Sequence, residues 1–341
     1  MGRLGYRPGL DGVRGLAIAP VVALHAFGWP RQGSLGVDVF FVLSGFLITT
    51  LLLEERAQTG AISFGRFYRR RAARLFPGLF LLLIVYAVAV RGAHASALFF
   101  AATYTTNIAH LAGHPGPHEL GHLWSLAQEE QFYLVWPPLL LLLSRARATR
   151  LPWLIGMILA AVLVEKTVLL ATGASQLRIY GGPDTHADPI LIGCLFGALF
   201  ATGRAPSVRR LGPAALATVA AAVLADRSLL GATSPLRTVF AFACAIVILA
   251  AVEGGIVARI LSLRPLRFLG QISYSLYLWH LPVLAAAGAT VWDARPVRAA
   301  LVLPAVLAVS CASFYLVERP LRCRWRLPRE RTLTAAVQPT T

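Results

Sequence analysis

The sequence predicts an all-α integral membrane protein: a bundle of about ten transmembrane helices with one re-entrant or interfacial segment and no soluble domain. Of the 341 residues, 57% are hydrophobic and only 14% are charged, and the mean hydropathy is +0.66. A soluble domain carries nearer about 25% charged residues. Apolar runs of helix length also recur along the whole chain, which supports the same class.

The formal net charge of +17 does not indicate a nucleic-acid partner. The arginines lie in short clusters between the apolar runs, as residues that set membrane topology do, so a lipid bilayer is the predicted surrounding. Nearly all basic residues are arginine, with Lys166 as the only lysine, and alanine is abundant. This composition indicates a GC-rich bacterial source, and the predicted location is the bacterial cytoplasmic membrane.

Ten predicted spans follow from the apolar runs. In chain order they cover residues 10–28, 35–53, 75–90, 122–143, 152–172, 189–203, 211–225, 235–252, 268–290 and 298–317. The run 96–112 is ambiguous, but every basic cluster falls on one side of the membrane only if this run does not cross. We therefore predict that both termini are cytoplasmic, with a transmembrane domain over 1–322 and a short basic and polar tail over 323–341.

The first span carries two ionisable residues on one helix face. Arg14 and His25 are eleven residues apart, which is about three turns and about 16 Å of helix. Ionisable side chains inside a membrane are costly and indicate function. Arg14 is predicted at the cytoplasmic end of the span and His25 deep inside it.

Arg70 and Arg74 are four residues apart at the cytoplasmic entrance of the third span, so they share a helix face. With Arg14 they form a predicted cationic mouth, which is suited to a phosphorylated ligand because guanidinium groups bind phosphate bidentately. The alternative is that these arginines are ordinary membrane anchors. For Arg69 and Arg71 we favour that alternative.

A second polar set is predicted at mid to outer depth, formed by His25, Asp38, Glu129, Glu130 and His280. A neutral imidazole accepts a proton from a hydroxyl group, and a carboxylate can fix its tautomer, so this combination predicts general-base chemistry. Adjacent helical residues are about 100° apart, so one of the two glutamates faces a cavity and the sequence leaves open which. The alternative is that these residues are hydrogen-bonded polar contacts between helices.

Four histidines lie in or beside an outer loop: His110, His114, His118 and His122. They lack acidic or cysteine partners at a known metal-ligand spacing. No metal site is predicted there.

Five sequence motifs occur in a fixed order. They are Arg14 and His25 with ten residues between them, GVDVFFVLSGFLI over 36–48, RRAARLFP over 70–77, WSLAQEEQFY over 124–133 and SYSLYLWHLP over 273–282. Together these motifs resemble the membrane-bound acyltransferase family 3, nearly end to end from Leu10 to about Arg322. The outer segment 184–188 departs from the family pattern, because His186 stands where arginine is expected.

The resemblance implies an O-acyltransferase that moves an acyl group, acetyl or another short chain, from cytoplasmic acyl-coenzyme A to a hydroxyl of a sugar-containing acceptor. That acceptor would be a cell-envelope glycan or a secreted glycoside. Acyl-coenzyme A is then a donor co-substrate whose phosphates dock on Arg14, Arg70 and Arg74, and no permanently bound cofactor is expected. The transmembrane domain over 1–322 is accordingly expected to be the acyltransferase domain.

The same resemblance implies roles for the deeper residues. His25 is expected to be the general base, with Glu130 or Glu129 as its orienting partner or as a second acid or base, and Asp38 beside them. The residues expected to line the substrate cavity are Ser44, Trp124, Tyr274, His280, Asp184 and Asp188. Ser44 or Tyr274 could donate to the thioester oxyanion. A transporter that uses the buried charges as a relay is the alternative, although no inverted repeat is visible. The oligomeric state stays open.

Overall fold

The computed structural model describes residues 4–324 except 91, 93, 146, 147, 227, 228 and 294. Over these residues the chain is helical and contains no strand, so the all-α prediction is confirmed. The helices are α1 Pro8–Phe27, α2 Leu35–Thr59, α3 Phe64–Ala89, α4 Ala95–Ala102, α5 Thr106–Leu111, α6 His118–Gly121, α7 Leu123–Leu143, α8 Leu151–Ala171, α9 Gln176–Gly181, α10 Asp188–Ala201, α11 Gly212–Leu224, α12 Leu236–Glu253, α13 Ile256–Leu261, α14 Arg264–Gln271, α15 Ser273–Ala286, α16 Pro296–Ala312 and α17 Arg319–Arg324. A 3-10 turn, Val291–Asp293, precedes α16, and a π-helical turn, Ser313–Glu318, joins α16 to α17.

Six helical segments within the described part of the chain are long and apolar enough to cross a membrane: α1, α2, α3, α8, α12 and the continuous stretch Pro296–Arg324. Helices α10 and α11 are apolar but shorter, with 14 and 13 residues. Helix α7 has 21 residues but carries four polar residues in succession, 128–131. The chain therefore has the helices of a multi-pass membrane protein, and the count of ten spans stays a prediction.

The predicted span 268–290 is not one helix. Helix α14 ends at Gln271, and α15 begins at Ser273. Helix α14 carries Arg264 and Arg267 and packs along α1, whereas α15 is apolar. The change from a charged helix to an apolar one therefore falls at Ile272, inside the run that hydropathy had predicted as continuous.

The ambiguous run 96–112 forms two short helices, α4 and α5, separated by a turn. Their 8 and 6 residues give about 12 Å and 9 Å of helix, much less than the roughly 30 Å of a hydrocarbon core. Tyr104 in the turn has a φ of 54°. The Gln131 side chain of α7 donates to the Tyr104 carbonyl and to Asn107 Oδ1, each at 2.8 Å. The turn is thus tied to α7, and its re-entrant character stays a prediction.

Helices α2 and α10 approach each other closely through two glycines. A Cβ at Gly45 would lie 2.0 Å from the Ile190 carbonyl oxygen, and a Cβ at Gly193 would lie 2.0 Å from the Val42 carbonyl oxygen. Glycine is therefore required at both positions, as is common where membrane helices pack backbone to backbone. This contact occupies one face of α2 and leaves the opposite face to line a cavity.

Candidate active site

A long cavity of about 940 Å³ follows one face of α2. Val37, Ser44, Leu51 and Gln58, each seven residues apart, all line it. Seven residues are close to two helical turns, so these side chains form one stripe. The 21 residues from Val37 to Gln58 rise about 32 Å, which matches the roughly 30 Å thickness of a hydrocarbon core. The long cavity therefore runs through most of the bundle.

The end of the long cavity beside the N-terminal ends of α1 and α3 is cationic. Its arginines are Arg7, Arg14, Arg66, Arg70, Arg71 and Arg74, against the carboxylates Asp11, Glu54, Glu55 and Glu129. Arg14 pairs with Asp11 at 3.0 Å. Arg74 forms no ion pair with any residue that the structure describes. The three arginines of the predicted cationic mouth thus meet at one cavity, and their role as phosphate ligands stays a prediction.

Glu129, and not Glu130, lies on the wall of the long cavity. The sequence had left open which of these two glutamates faces a cavity. Glu129 Oε1 accepts hydrogen bonds from Ser44 Oγ at 2.5 Å and from Tyr133 OH at 2.7 Å. Arg71 lies 3.8 Å from Glu129 and 3.5 Å from Glu130, with its guanidinium 3.3 Å from the centre of the Tyr133 ring. Arg71 therefore holds both glutamates, and the interpretation of Arg71 as a membrane anchor is wrong.

The expected oxyanion donors already use their hydroxyl hydrogens. Ser44 Oγ donates to Glu129, and Tyr274 OH donates to the Leu75 carbonyl at 2.6 Å. Both residues line the long cavity, as expected. In this arrangement neither hydroxyl has a hydrogen left for a thioester oxygen.

Three histidines lie beyond the inner end of the long cavity, and none of them lines it. This histidine layer consists of His25, His122 and His280, with ring centroids 5.1 Å apart for His25 and His280 and 5.0 Å apart for His122 and His280. His280 is fully buried, and Trp292 packs on His25 with 6.2 Å between ring centroids. His280 is therefore not on the wall of the long cavity, and its place in a substrate cavity stays a prediction.

The expected pairing of Glu130 with His25 is not formed among the described contacts, because the two groups lie at different depths. His122 is at the level of the histidine layer, and Glu130 lies eight residues further along α7, which is about 12 Å of helix. Both glutamates contact Arg71 instead. The carboxylates thus belong to the cavity wall and not to the histidine layer.

Ser125 and Tyr277 separate the long cavity from the histidine layer. Both line the inner end of the cavity, and Tyr277 OH donates to the His122 carbonyl at 2.5 Å. Ser125 Oγ lies 2.7 Å from Tyr277 OH and donates to it, because the tyrosine hydrogen is already used. Tyr277 precedes His280 by three residues and Ser125 follows His122 by three, so one helical turn of about 4.5 Å separates the two levels.

Asp38 lies outside the long cavity, in a buried ion cluster between helices. His186 Nε2 donates to Asp38 Oδ1 at 2.8 Å, and Arg237 of α12 donates to Asp38 Oδ2. The Arg237 guanidinium also lies 4.6 Å from the centre of the Tyr180 ring. Arg237 therefore supplies a guanidinium to one carboxylate oxygen of Asp38, while His186, at the position where arginine was expected, binds the other.

Asp188 and Asp184 also lie in ion pairs away from the cavity that they were expected to line. Lys166 lies 3.1 Å from Asp188, and Thr238 Oγ1 donates to the same carboxylate at 2.7 Å. Asp184 pairs with Arg178 at 2.5 Å. Burial opposes ionisation of Asp184, but hydrogen bonds from Arg178 and the Thr185 amide outweigh it and lower the pKa to about 2. The Asp188 pair therefore joins α8 to α10, and the Asp184 pair joins α9 to the segment that follows it.

Trp124 faces a second, smaller cavity of about 220 Å³. It packs against Tyr180 with 4.7 Å between ring centroids, and both rings line this cavity together with Asn107. Trp124 is therefore not on the wall of the long cavity. Two residues after His122 on α7, it points to a different side of the helix.

Arg237, Arg71, His122 and Tyr277 are the polar groups that the sequence interpretation missed. The sequence could have predicted a partner for Arg237, because Arg237 is the single charge within the apolar run 235–252 and such residues are seldom unpaired. Nothing in the sequence marks Tyr277 as a site residue, because a tyrosine in an apolar helix usually serves only to pack against neighbouring helices. His122 was grouped with His110, His114 and His118 of the outer loop, although it also begins the predicted span 122–143.

A bundle of membrane-length helices with a long cationic cavity and a histidine layer at its inner end is suited to a membrane-embedded group-transfer enzyme. Residues 7–315 match the acyltransferase 3 family model, which is described as an acyltransferase domain. The chain therefore belongs to the acyltransferase 3 family. This confirms the family resemblance of the five motifs.

Curated relatives extend the match. YrhL of Bacillus subtilis (strain 168) is 32% identical over 93% of this chain and 55% of its own length. The peptidoglycan O-acetyltransferase OatA of Listeria monocytogenes is 30% identical over 93% of this chain and 56% of its own, and the O-acetyltransferase OatA of Staphylococcus aureus (strain NCTC 8325 / PS 47) is 30% identical over 82% and 51%. The chain thus spans about half the length of these relatives. No solved structure matches it.

Proposed function

We propose that this chain is a bacterial membrane O-acyltransferase that moves an acetyl or other short acyl group from cytoplasmic acyl-coenzyme A to a hydroxyl of a cell-envelope glycan. The observation that carries the proposal is the long cavity, which begins at the cationic mouth and ends one helical turn from the histidine layer. The names of both OatA relatives support acetyl as the group, and the name of the Listeria monocytogenes protein supports peptidoglycan as the glycan.

The donor fits the long cavity in one orientation. Coenzyme A carries its phosphates at one end and its thiol at the other, joined by a narrow arm. The phosphates bind Arg14, Arg70 and Arg74 at the mouth, since guanidinium groups are good phosphate ligands. The arm lies along the α2 stripe past Leu51 and Ser44, and the thioester lies near Ser125 and Tyr277.

Arg74→Gln should weaken donor binding with little loss of stability, because the two carboxylates that Arg74 attracts keep other partners: Glu130 keeps Arg71, and Glu318 keeps Ser275 and Ser313. Loss of one charge-assisted phosphate contact should cost about 1.5–3 kcal/mol, and the apparent KM for acetyl-coenzyme A should rise about 10- to 100-fold with kcat little changed. Arg210→Ala, at an exposed arginine of another loop, is the matched control. An unchanged donor KM in Arg74→Gln would exclude this phosphate site.

Transfer then requires one proton carrier. His25 accepts the proton of the acceptor hydroxyl while the hydroxyl oxygen attacks the thioester carbonyl carbon. The carbon–sulfur bond breaks, coenzyme A leaves as thiolate, and the proton passes from His25 to the sulfur. Because Ser125 and Tyr277 lie between the cavity and His25, their hydrogen bond must open for the thioester to reach the acceptor.

The acceptor enters from the side of the membrane opposite the cationic mouth, with both chain termini cytoplasmic. A cysteine at Gly116, between α5 and α6, should then be labelled by a membrane-impermeant maleimide in intact cells that carry a version without the four native cysteines. A cysteine at Ser207, in the predicted cytoplasmic loop after α10, is the matched control and should be labelled only after permeabilisation. If 96–112 crosses the membrane, all later loops change side, and the pattern reverses: the cysteine at Gly116 would be protected in intact cells and the cysteine at Ser207 would be labelled.

Mass spectrometry of cell-wall glycans and secreted glycosides tests the function itself. A host that expresses the chain should show glycan species heavier by one acyl group, which are missing in the same host without the gene. If purified protein consumes no acetyl-coenzyme A and no fraction gains mass, the enzyme proposal fails in favour of a transport role for the buried charges.

A further inference from the structure

The hydrogen bonds of His25 and His280 define the tautomers of both rings. His280 Nδ1 lies 2.8 Å and 3.1 Å from the carbonyl oxygens of Tyr277 and Leu276, and His25 Nδ1 lies 2.9 Å from that of Val21. A carbonyl oxygen only accepts, so each Nδ1 carries a hydrogen. In a neutral imidazole the other nitrogen, Nε2, then holds a lone pair.

These tautomers give the contact between the two rings a direction. His280 Nε2 lies 3.2 Å from His25 Nδ1. Because His280 Nε2 holds a lone pair and His25 Nδ1 holds a hydrogen, His25 shares that hydrogen between the Val21 carbonyl and His280. The Nε2 atom of His25 is consequently the nitrogen that is free to accept a proton.

We propose that His280 is the positioning residue of His25. It has the role that a carboxylate often has beside a catalytic histidine. This inference rests on the proposed function, in which His25 is the general base. His280 accepts from His25 Nδ1 and thereby keeps the lone pair on Nε2. When His25 takes up the acceptor proton, the positive ring keeps an acceptor for its Nδ1 hydrogen.

Among the described side chains that contact His25, His280 is the one placed to accept a hydrogen bond from Nδ1. Among the described contacts, the rings that meet His25 are His280 and Trp292, and those that meet His280 are His25, His122 and Tyr277. Trp292 offers a hydrogen-bond donor only. The nearest glutamates on α7 lie about 12 Å along the helix from the histidine layer and are bound to Arg71. His280 itself is fully buried and held by two backbone carbonyls, so its ring is fixed.

Two substitutions of His280 separate positioning from packing. His280→Phe keeps a ring but removes the acceptor, and His280→Gln keeps a carbonyl oxygen at similar reach. In purified enzyme with acetyl-coenzyme A and soluble peptidoglycan fragments, we expect kcat for transfer to fall about 100-fold or more in His280→Phe and less than about 10-fold in His280→Gln. The donor KM should stay within about twofold in both, since the long cavity does not include His280. His114→Phe, in an exposed loop, is the matched control.

The outcomes distinguish this inference from the function on which it depends. If wild type transfers acyl groups and His25→Ala does not, but both His280 variants retain wild-type kcat, the positioning role is wrong and the function stands. Equal losses in His280→Gln and His280→Phe, with equal falls in thermal stability, would make His280 a packing residue and also contradict the inference. If wild type itself transfers nothing, the proposed function has failed first.

Discussion

His25→Ala is expected to reduce acyl transfer by about 100- to 10,000-fold, the usual contribution of a general base. The nitrogen of His25 that is free to accept the proton is Nε2, because Nδ1 donates its hydrogen to the Val21 carbonyl and to His280. The donor KM should change little, since His25 does not line the long cavity that we assign to coenzyme A. Initial rates at varied acetyl-coenzyme A, with peptidoglycan fragments as acceptor, give both constants.

The matched control is His110→Ala, which removes a partly buried histidine beside the smaller cavity and should retain wild-type kcat. Insertion and folding of His25→Ala are checked by its elution as a single species in detergent. A folded His25→Ala enzyme with full kcat would show that another group accepts the proton. A raised donor KM with unchanged kcat would instead place His25 on the donor side.

Local properties of the sequence gave most of the helices. The apolar runs 10–28 and 235–252 became α1, Pro8–Phe27, and α12, Leu236–Glu253, because hydropathy and helical length are set by neighbouring residues. The break at Ile272 was missed because it depends on α14 packing along α1, which hydropathy does not contain. The charges of other loops predicted that 96–112 does not cross the membrane, but its division into α4 and α5 was not anticipated.

The site residues also fall into those that the sequence interpretation grouped correctly and those that it did not. Arg14, Arg70 and Arg74 were predicted together because the sequence interpretation placed all three at the cytoplasmic ends of predicted spans, and they do meet at the long cavity. The depth of Glu130 was misjudged because its partner could not be read from α7 alone. Asp38 was assigned to the chemistry although its partner, Arg237, lies 199 residues later in the chain. Long-range pairing of buried charges is therefore where the sequence interpretation fails.

The two polar ends of the site need different electrostatics. In the proposed function the cationic mouth receives the phosphates of the donor, and its six arginines against four carboxylates leave it positive. The histidine layer must be neutral before the reaction so that one lone pair is free, and it contains no carboxylate among the described residues. Ser125 and Tyr277 lie between the two environments.

Arg237→Leu is expected to destabilise the protein by about 3–5 kcal/mol, because it leaves the Asp38 carboxylate buried without its guanidinium. Asp38 is fully buried and Arg237 is 4% exposed, so water cannot replace the lost partner. The measurement is the thermal midpoint of the detergent-solubilised protein. Arg178→Leu is the matched control, since the side chains of its pair with Asp184 are 34% and 42% exposed and such pairs contribute about 0–1 kcal/mol.

The double variant Asp38→Leu with Arg237→Leu tests whether Asp38 has a second role. If the cluster only joins α2 to α12, replacing both charges should recover most of the lost stability, because a buried ion pair often contributes little over an apolar pair. His186 would lose its acceptor but could remain neutral. Recovered stability together with wild-type kcat would assign Asp38 to the fold. Recovered stability with transfer reduced more than about 100-fold would return Asp38 to the reaction, as the family resemblance first implied.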